Sequence, residues 1–209
     1  MTVLLALILA AGLLVSPAAA DPVPAVDSMA YGFDDTQSTM TIYGSSNVRD
    51  WTMDVTALDG TVMMTASEAA VPAIQSIDLT IPVQQIVSDK DKLQRHAHEA
   101  LKKEDYPTIS FTATDVQVAE ASADSFAVTA NGDLTIGGQT RAATITAKGA
   151  QTADGTVAVR GDHRLKLSTY DVERPSLFFG AIKVDDPVRL AFDVVLTPST
   201  GPAGSSESR

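Results

Sequence analysis

Runs in which apolar and polar residues alternate recur along this chain, and this period-two pattern most limits its possible folds. In the clearest run every second residue is apolar, and those residues are Val188, Leu190, Phe192, Val194 and Leu196. Such alternation is typical of antiparallel strands that bury one face. About eight runs occur without the helical crossovers that a parallel sheet needs. The pattern predicts an all-β antiparallel fold, and periodicity alone leaves a barrel and a sandwich open.

One stretch, residues 88–105, changes to a helical period. Its small and apolar side chains recur every three or four residues, at Leu93, Ala97, Ala100 and Leu101. This spacing predicts one short amphipathic helix, which should lie on the β structure and not inside it. Ser88 and Asp91 have the spacing of a capping box, so the helix should begin there. Pro107 disfavours helical geometry at the preceding residue, so the helix should end near residues 103–105.

Two glycine-containing dipeptides predict turns between the alternating runs. The Asp-Gly pair at 59–60 stands between the runs at 51–55 and 62–64, which predicts a hairpin that pairs those two runs. The Gly-Gly pair at 137–138 predicts a second tight turn.

The ends of the chain predict an exported protein. Residues 1–20 carry no charge and end in three alanines, which predicts a signal peptide. The apolar run is too short for a membrane anchor, which needs about 20 residues. Residues 21–36 lack a sustained period and are predicted to be a lead-in, residues 37–198 a single β domain, and residues 199–209 a disordered tail. We therefore expect a periplasmic or secreted location.

Composition excludes several classes of function. A net charge of −11 repels phosphate backbones, so nucleic acid is not expected as a partner. No cysteine is present, which excludes disulfides and thiolate chemistry. His96 and His98 are two residues apart on the predicted helix and therefore cannot chelate one ion together. His96 should line the contact between helix and β structure, whereas His98 should be solvated. We expect no catalytic residue and no metal site.

Four segments in a fixed order carry a resemblance to a known family. They are residues 44–51 (GSSNVRDW), 106–111 (YPTISF), 132–141 (GDLTIGGQTR) and 179–184 (FGAIKV). Together they resemble the YceI-like, polyisoprenoid-binding family of exported bacterial proteins, over most of residues 30–198. The resemblance implies an extended, lipocalin-like, eight-stranded antiparallel barrel with one short amphipathic helix. It also implies that the interior holds a long isoprenoid chain, without a catalytic motif or a metal.

The candidate lipid-binding residues are side chains that would face the barrel interior. Strand parity selects Ile109, Phe111, Phe126, Val128, Val188, Leu190, Phe192 and Val194. Phe178 and Phe179 stand in an irregular segment and are candidates for the barrel mouth. Trp51, the single tryptophan, could stack on a ligand or pack in a corner. Parity alone favours side chains that pack on one another and fill the barrel, whereas the family resemblance implies a pocket.

The leading hypothesis is non-enzymatic binding, storage or transfer of a polyisoprenoid or similar amphipathic lipid, with no other cofactor. Burial is worth ~0.8 kcal/mol per CH₂, so exposing an isoprenoid of about forty carbons would cost on the order of 30 kcal/mol. Because non-covalent affinities saturate at about 18–21 kcal/mol, we expect direct exchange with a membrane or a partner protein. The alternative is a secreted, stress-related interaction domain with a side-chain-filled barrel and no ligand. The oligomeric state stays open.

Overall fold

The computed structural model describes residues 28–65, 73–122, 125–152, 154–174, 176–177 and 182–199. The predicted signal peptide, the first part of the predicted lead-in and the tail from residue 200 lie outside the described residues, as do Phe178 and Phe179.

Antiparallel strands make up most of the described chain. In chain order they are β1 (Ser28–Phe33), β2 (Thr39–Gly44), β3 (Trp51–Val55), β4 (Asp59–Thr65), β5 (Ala73–Pro82), β6 (Ile86–Val87), β7 (Thr108–Ser122), β8 (Ser125–Ile136), β9 (Gln139–Gln151), β10 (Val157–Lys166), β11 (Ser176–Leu177), β12 (Ile182–Lys183) and β13 (Pro187–Pro198). The described residues contain one α-helix, α1 (Asp91–Ala100), and 3-10 turns at Val83–Gln85 and Leu167–Tyr170. The predicted all-β class with one short helix is confirmed.

The sheet closes on itself. The strands follow the order β1-β4-β5-β7-β8-β9-β10-β13, and β13 pairs back onto β1, which gives a closed barrel of eight antiparallel strands. Three of the eight barrel strands are interrupted and continue as a second strand. The strand β2 continues the line of β1 along β13, β3 continues that of β4, and β6 continues that of β5. The barrel that the family resemblance implied is confirmed, and the sandwich is excluded.

The predicted hairpin at 59–60 is wrong. The strands β3 and β4 do not pair with each other, and Gly60 lies inside β4, paired with Leu79 of β5. Its φ of 138° is one that only glycine adopts readily, and a Cβ there would collide with the Asp78 carbonyl. A local turn signal was overridden because the same residues pair along β5. The Gly-Gly turn at 137–138 is confirmed and joins β8 to β9.

The barrel begins earlier than residue 37. The strand β1 lies within the predicted lead-in, where it pairs with β4 and β13. Tyr31 is its single buried side chain. Phe33, on the same face, packs partly buried against the core. Two such residues in a short strand produce no sustained alternation, and therefore the sequence pattern did not reveal it.

The predicted capping box is also wrong. The helix begins at Asp91, and the residue before it, Lys90, makes no side-chain cap. Ser88 lies outside the helix, where its backbone N–H donates to Gln94 Oε1 at 3.1 Å and its hydroxyl accepts from the Lys90 N–H at 3.3 Å. The side chain that bonds back across the first turn is therefore Gln94.

The helix lies on the barrel as predicted. None of its residues is fully buried, while Leu93, Ala97 and Leu101 pack against the cluster at this end of the barrel. It ends at Ala100, earlier than predicted, because Lys102 adopts a left-handed conformation with φ of 54°.

Large side chains fill one end of the barrel. This filled end consists of Tyr31, Val62, Met64, Ile74, Phe126, Val128, Val157 and Leu196. Phe126 and Val157 are completely buried there, and Met64 nearly so. The barrel therefore has a conventional packed core at the end remote from α1.

Removing the Phe126 ring should show how much this core contributes to the stability of the protein. We expect Phe126→Ala to lower the free energy of unfolding by about 3–5 kcal/mol, because the ring is 0% exposed and leaves a cavity. Thr112→Ala, at an exposed position of β7, should change it by less than about 0.5 kcal/mol. Denaturant unfolding of both variants measures the difference. A loss below about 1 kcal/mol for Phe126→Ala would contradict this placement of the core.

Candidate functional site

The half of the barrel nearest α1 is hollow. It contains a cavity of about 740 Å³, with α1 lying across its end. The inward faces of the strands form an apolar wall, which includes Ile42, Met53, Val55, Leu79, Ile81, Ile86, Ile109, Phe111, Leu134, Ile136, Ile145, Leu165, Val188 and Leu190. Such a cavity suits an apolar ligand of substantial length.

Five of the predicted lipid-binding residues line this cavity. They are Trp51, Ile109, Phe111, Val188 and Leu190. Four others face inward without lining it: Phe126 and Val128 belong to the filled end, and Phe192 and Val194 pack in the cluster that α1 also contacts. Alternation identifies which face of a strand points inward, but it carries no information about height along the barrel axis.

Sequence reasoning missed much of the lining. Met53 and Val55 on β3, and Leu79 and Ile81 on β5, lie on the same alternating faces that parity had already marked as apolar. The same parity argument would have found them. Val172, by contrast, lies in an irregular segment and carried no local signal.

The helix closes the end of the cavity through side chains of its apolar stripe. Leu93, Ala97 and Leu101 line the cavity, and so does His96, for which the sequence predicts a place at the contact between helix and β structure. The expectation that His98 is solvated is wrong. Its Nε2 lies 2.8 Å from the Ile86 carbonyl oxygen, where a protonated Nε2 donates a hydrogen bond to β6. This bond ties the helix to the barrel wall.

The wall opens between β9 and β10. These strands pair only as far as Ala147 and Gly161, and beyond that point the 3-10 turn Leu167–Tyr170 packs against β9. Tyr170 is buried there, and burial raises the pKa of its phenol, an effect that the nearby Arg141 charge partly offsets. Side chains, instead of interstrand hydrogen bonds, therefore seal this part of the wall.

The turn that seals the wall is held by a carboxylate. The Ser168 backbone N–H donates to Asp186 Oδ1 at 2.8 Å, and the Ser168 hydroxyl donates to Asp186 Oδ2 at 2.7 Å. These bonds lower the pKa of Asp186, so it stays ionised at neutral pH.

Trp51 links the cavity wall to the mouth. Its indole N–H donates to the Ser45 carbonyl at 3.1 Å, and its ring lies where a Cβ on Gly44 would stand. A side chain at Gly44 would displace the ring. The indole therefore packs in a corner of the β2–β3 connection and also lines the cavity.

The mouth of the cavity is formed by loops and by the start of α1. The exposed members of its lining are Val48, Arg49, Lys90, Asp91, Lys92 and Glu173. The rim is ordered by the hydrogen bond from the Ser45 hydroxyl to Asp185 Oδ2, at 2.7 Å, and by the bridge between Ser46 and Val184. The Val48 side chain is 62% exposed. The rim thus presents an apolar tip beside charges of both signs.

One ionisable side chain lies on the described strands that form the apolar wall. His163, on β10, is half-buried and faces the cavity. Burial lowers the pKa of its imidazole, and the neighbouring Asp162 charge partly offsets that effect.

Neither a metal site nor a membrane-spanning helix is found among the described residues. No group of three or more histidine, aspartate and glutamate side chains in that part of the chain could hold a metal ion. None of the described helices is long and apolar enough to cross a bilayer.

Comparisons with solved structures place the fold. Burkholderia cenocepacia BcnA is 20% identical with a TM-score of 0.62, and the match covers 79% of this chain and 99% of that one. A polyisoprenoid binding domain from Saccharophagus degradans, implicated in plant cell wall breakdown, is 16% identical with a TM-score of 0.62, covering 82% and 99%. The Campylobacter jejuni YCEI protein is 16% identical with a TM-score of 0.53, covering 71% and 85%. At these identities the likeness establishes the fold alone.

The sequence itself identifies the family. No curated protein matches the chain. The family model of the YceI-like domain, however, matches residues 31–196, which include most of the barrel from β1 to β13. The resemblance seen in the sequence is confirmed, and this protein belongs to the YceI-like family.

Proposed function

We propose that this protein binds a polyisoprenoid or similar amphipathic lipid inside the barrel, and stores or transfers it without acting as an enzyme. The observation that carries the proposal is the apolar cavity of about 740 Å³ in the hollow half of the barrel. The polyisoprenoid binding domain from Saccharophagus degradans, which has the same fold, supports this ligand class. With its predicted signal peptide, the protein would work in the periplasm or outside the cell.

The hollow half argues against the alternative of an interaction domain with a filled barrel. Small-molecule sites have volumes of about 300–1,000 Å³ and are lined mainly by apolar side chains. A packed core contains few voids larger than a water molecule. An unliganded cavity of this size would forfeit many contacts across the barrel, and a bound chain would restore them.

The cavity volume limits how much of a lipid it encloses. If each heavy atom of the chain takes roughly the 30 Å³ that a water molecule occupies in the liquid, the cavity holds about 25 heavy atoms. A lipid of about five isoprene units would fit inside. A longer chain would extend past α1 through the mouth.

Release into water would be too slow for a carrier. At ~0.8 kcal/mol per buried CH₂, about 25 carbons correspond to roughly 20 kcal/mol, which is near the ceiling for non-covalent affinity. We therefore infer transfer by direct contact between the mouth and a membrane or a partner protein. The exposed Val48 on the rim supports such a contact, because it can enter an apolar interface.

Native mass spectrometry of the protein, purified without detergent and then extracted with organic solvent, tests the ligand. We expect a stoichiometric lipid with a prenyl chain. Ile145→Trp should place a ring in the cavity and weaken binding about tenfold or more, because displacing two or three ligand carbons costs about 2 kcal/mol. Thr146→Trp, at the adjacent exposed position of β9, should leave binding unchanged.

Three outcomes would count against lipid binding. The wild-type protein could carry no lipid and bind no added isoprenoid, which would favour the interaction domain. The extracted molecule could lack a long apolar chain. The two tryptophan variants could also weaken binding equally, in which case the cavity is not where the lipid resides.

Transfer between vesicles tests the route of exchange. We expect the protein to accelerate transfer of a fluorescent isoprenoid between two vesicle populations. Val48→Asp should slow this transfer several-fold without changing the amount of lipid bound, because it puts a charge on the apolar tip of the rim. Met29→Asp provides the matched control, because Met29 is also exposed but lies on β1, which contributes Tyr31 to the filled end. Equal slowing by both variants would show that the mouth is not the contact surface.

A further inference from the structure

His163 lies in a part of the cavity where lipid binding alone does not require a polar group. On β10 it pairs with Leu190 of β13, which pairs in turn with Ile42 of β2, and both of these line the cavity. Among the described strand residues of the lining, His163 is the one with an ionisable side chain. The charged residues of the lining belong to the mouth and to α1.

The imidazole has no protein partner within the described part of the chain. None of the hydrogen bonds among these residues involves either ring nitrogen of His163, although both other histidines of the chain are bonded. Burial lowers its pKa, and the residual influence of Asp162 comes from the opposite face of the same strand. At neutral pH the ring is therefore mainly uncharged and offers one N–H donor and one nitrogen acceptor to the cavity.

The chemistry of the molecule in the cavity decides whether the His163 ring nitrogens have hydrogen-bond partners. In an unliganded cavity, water can reach the two nitrogens. A pure hydrocarbon would displace that water and leave the imidazole buried without a hydrogen-bond partner, which is unfavourable. An occupant with an oxygen at this height would replace the lost hydrogen bond.

We propose that His163 hydrogen-bonds an oxygen of the bound lipid inside the barrel, and that the site thereby selects amphipathic chains over hydrocarbons of equal length. The inference rests on the proposed lipid-binding function and adds the chemical class of the polar group. A hydroxyl, which can accept or donate a hydrogen bond, or a carbonyl, which accepts one, matches the uncharged imidazole, because neither brings a charge into the apolar wall. The polar end of the lipid then lies inside the cavity, and the chain extends along the wall and towards the mouth.

Paired ligands measure this selectivity. Geranylgeraniol has four isoprene units, which the cavity volume accommodates, and the hydrocarbon with the same skeleton lacks only its hydroxyl. Fluorescence of Trp51, the single tryptophan and part of the lining, reports binding of either compound. We expect the wild-type protein to bind the alcohol about fivefold more tightly than the hydrocarbon, which is the effect of one net hydrogen bond.

Variants of His163 separate hydrogen bonding from cavity shape. His163→Leu should reduce the ratio of the two affinities to about one, mainly by improving binding of the hydrocarbon. His163→Gln keeps a donor and an acceptor and should retain part of the preference. Leu190→Met, a change of shape at the paired position, should leave the ratio unchanged. The ¹⁵N chemical shifts of the His163 ring should respond to the alcohol and not to the hydrocarbon.

The outcomes distinguish the two proposals. If the wild-type protein binds both compounds equally, or His163→Leu retains the preference, the role of His163 is overturned while lipid binding stands. If neither compound binds to the wild-type protein, both proposals fail. Loss of the preference in His163→Leu together with its retention in Leu190→Met supports the role of His163.

Discussion

The pairing of β1 with β13 closes the barrel, and the interior exists because of it. Three residue pairs, from Tyr31–Pro198 to Phe33–Leu196, join the first described strand to the last. The Ser199 N–H extends the seam by donating to the Ala30 carbonyl at 2.8 Å. Closure removes the free edges of the sheet, and in a ring of eight strands it leaves an interior that side chains can fill or a ligand can occupy.

The distribution of side-chain bulk divides that interior. At the filled end, Phe126, Met64 and Tyr31 pack in one buried cluster. Towards α1 the inward positions hold mainly leucine, isoleucine and valine, which line the wall without meeting at the axis. The filled end can therefore supply packing stability while the other end remains open to a ligand. The same division explains why Phe126 and Val128, inward as predicted, do not line the cavity.

The parts that cover the cavity are attached less firmly than the strands. The helix contacts it through a narrow stripe and is tied to the wall by the bond between His98 and the Ile86 carbonyl. The gap between β9 and β10 is sealed by a turn that depends on Ser168 and Asp186. Elements with few buried contacts open at low free-energy cost. On this principle the helix and the turn are the parts of the cover that cost least to open.

The sequence by itself determined the all-β class, the single amphipathic helix, the inward faces of the strands and the family, because these depend on short-range periodicity and on ordered local segments. Only the tertiary structure decided which inward residues line the cavity. Height along the barrel axis follows from register between strands distant in the chain, such as the pairing of His163 with Leu190. The Asp-Gly pair at 59–60 does not form a turn because its residues pair with β5. Ser88 does not cap the helix, and its backbone N–H bonds to the Gln94 side chain instead. A polar ring facing an apolar cavity is likewise a property of the closed barrel, since its isolation depends on neighbours that the chain brings together only when it folds.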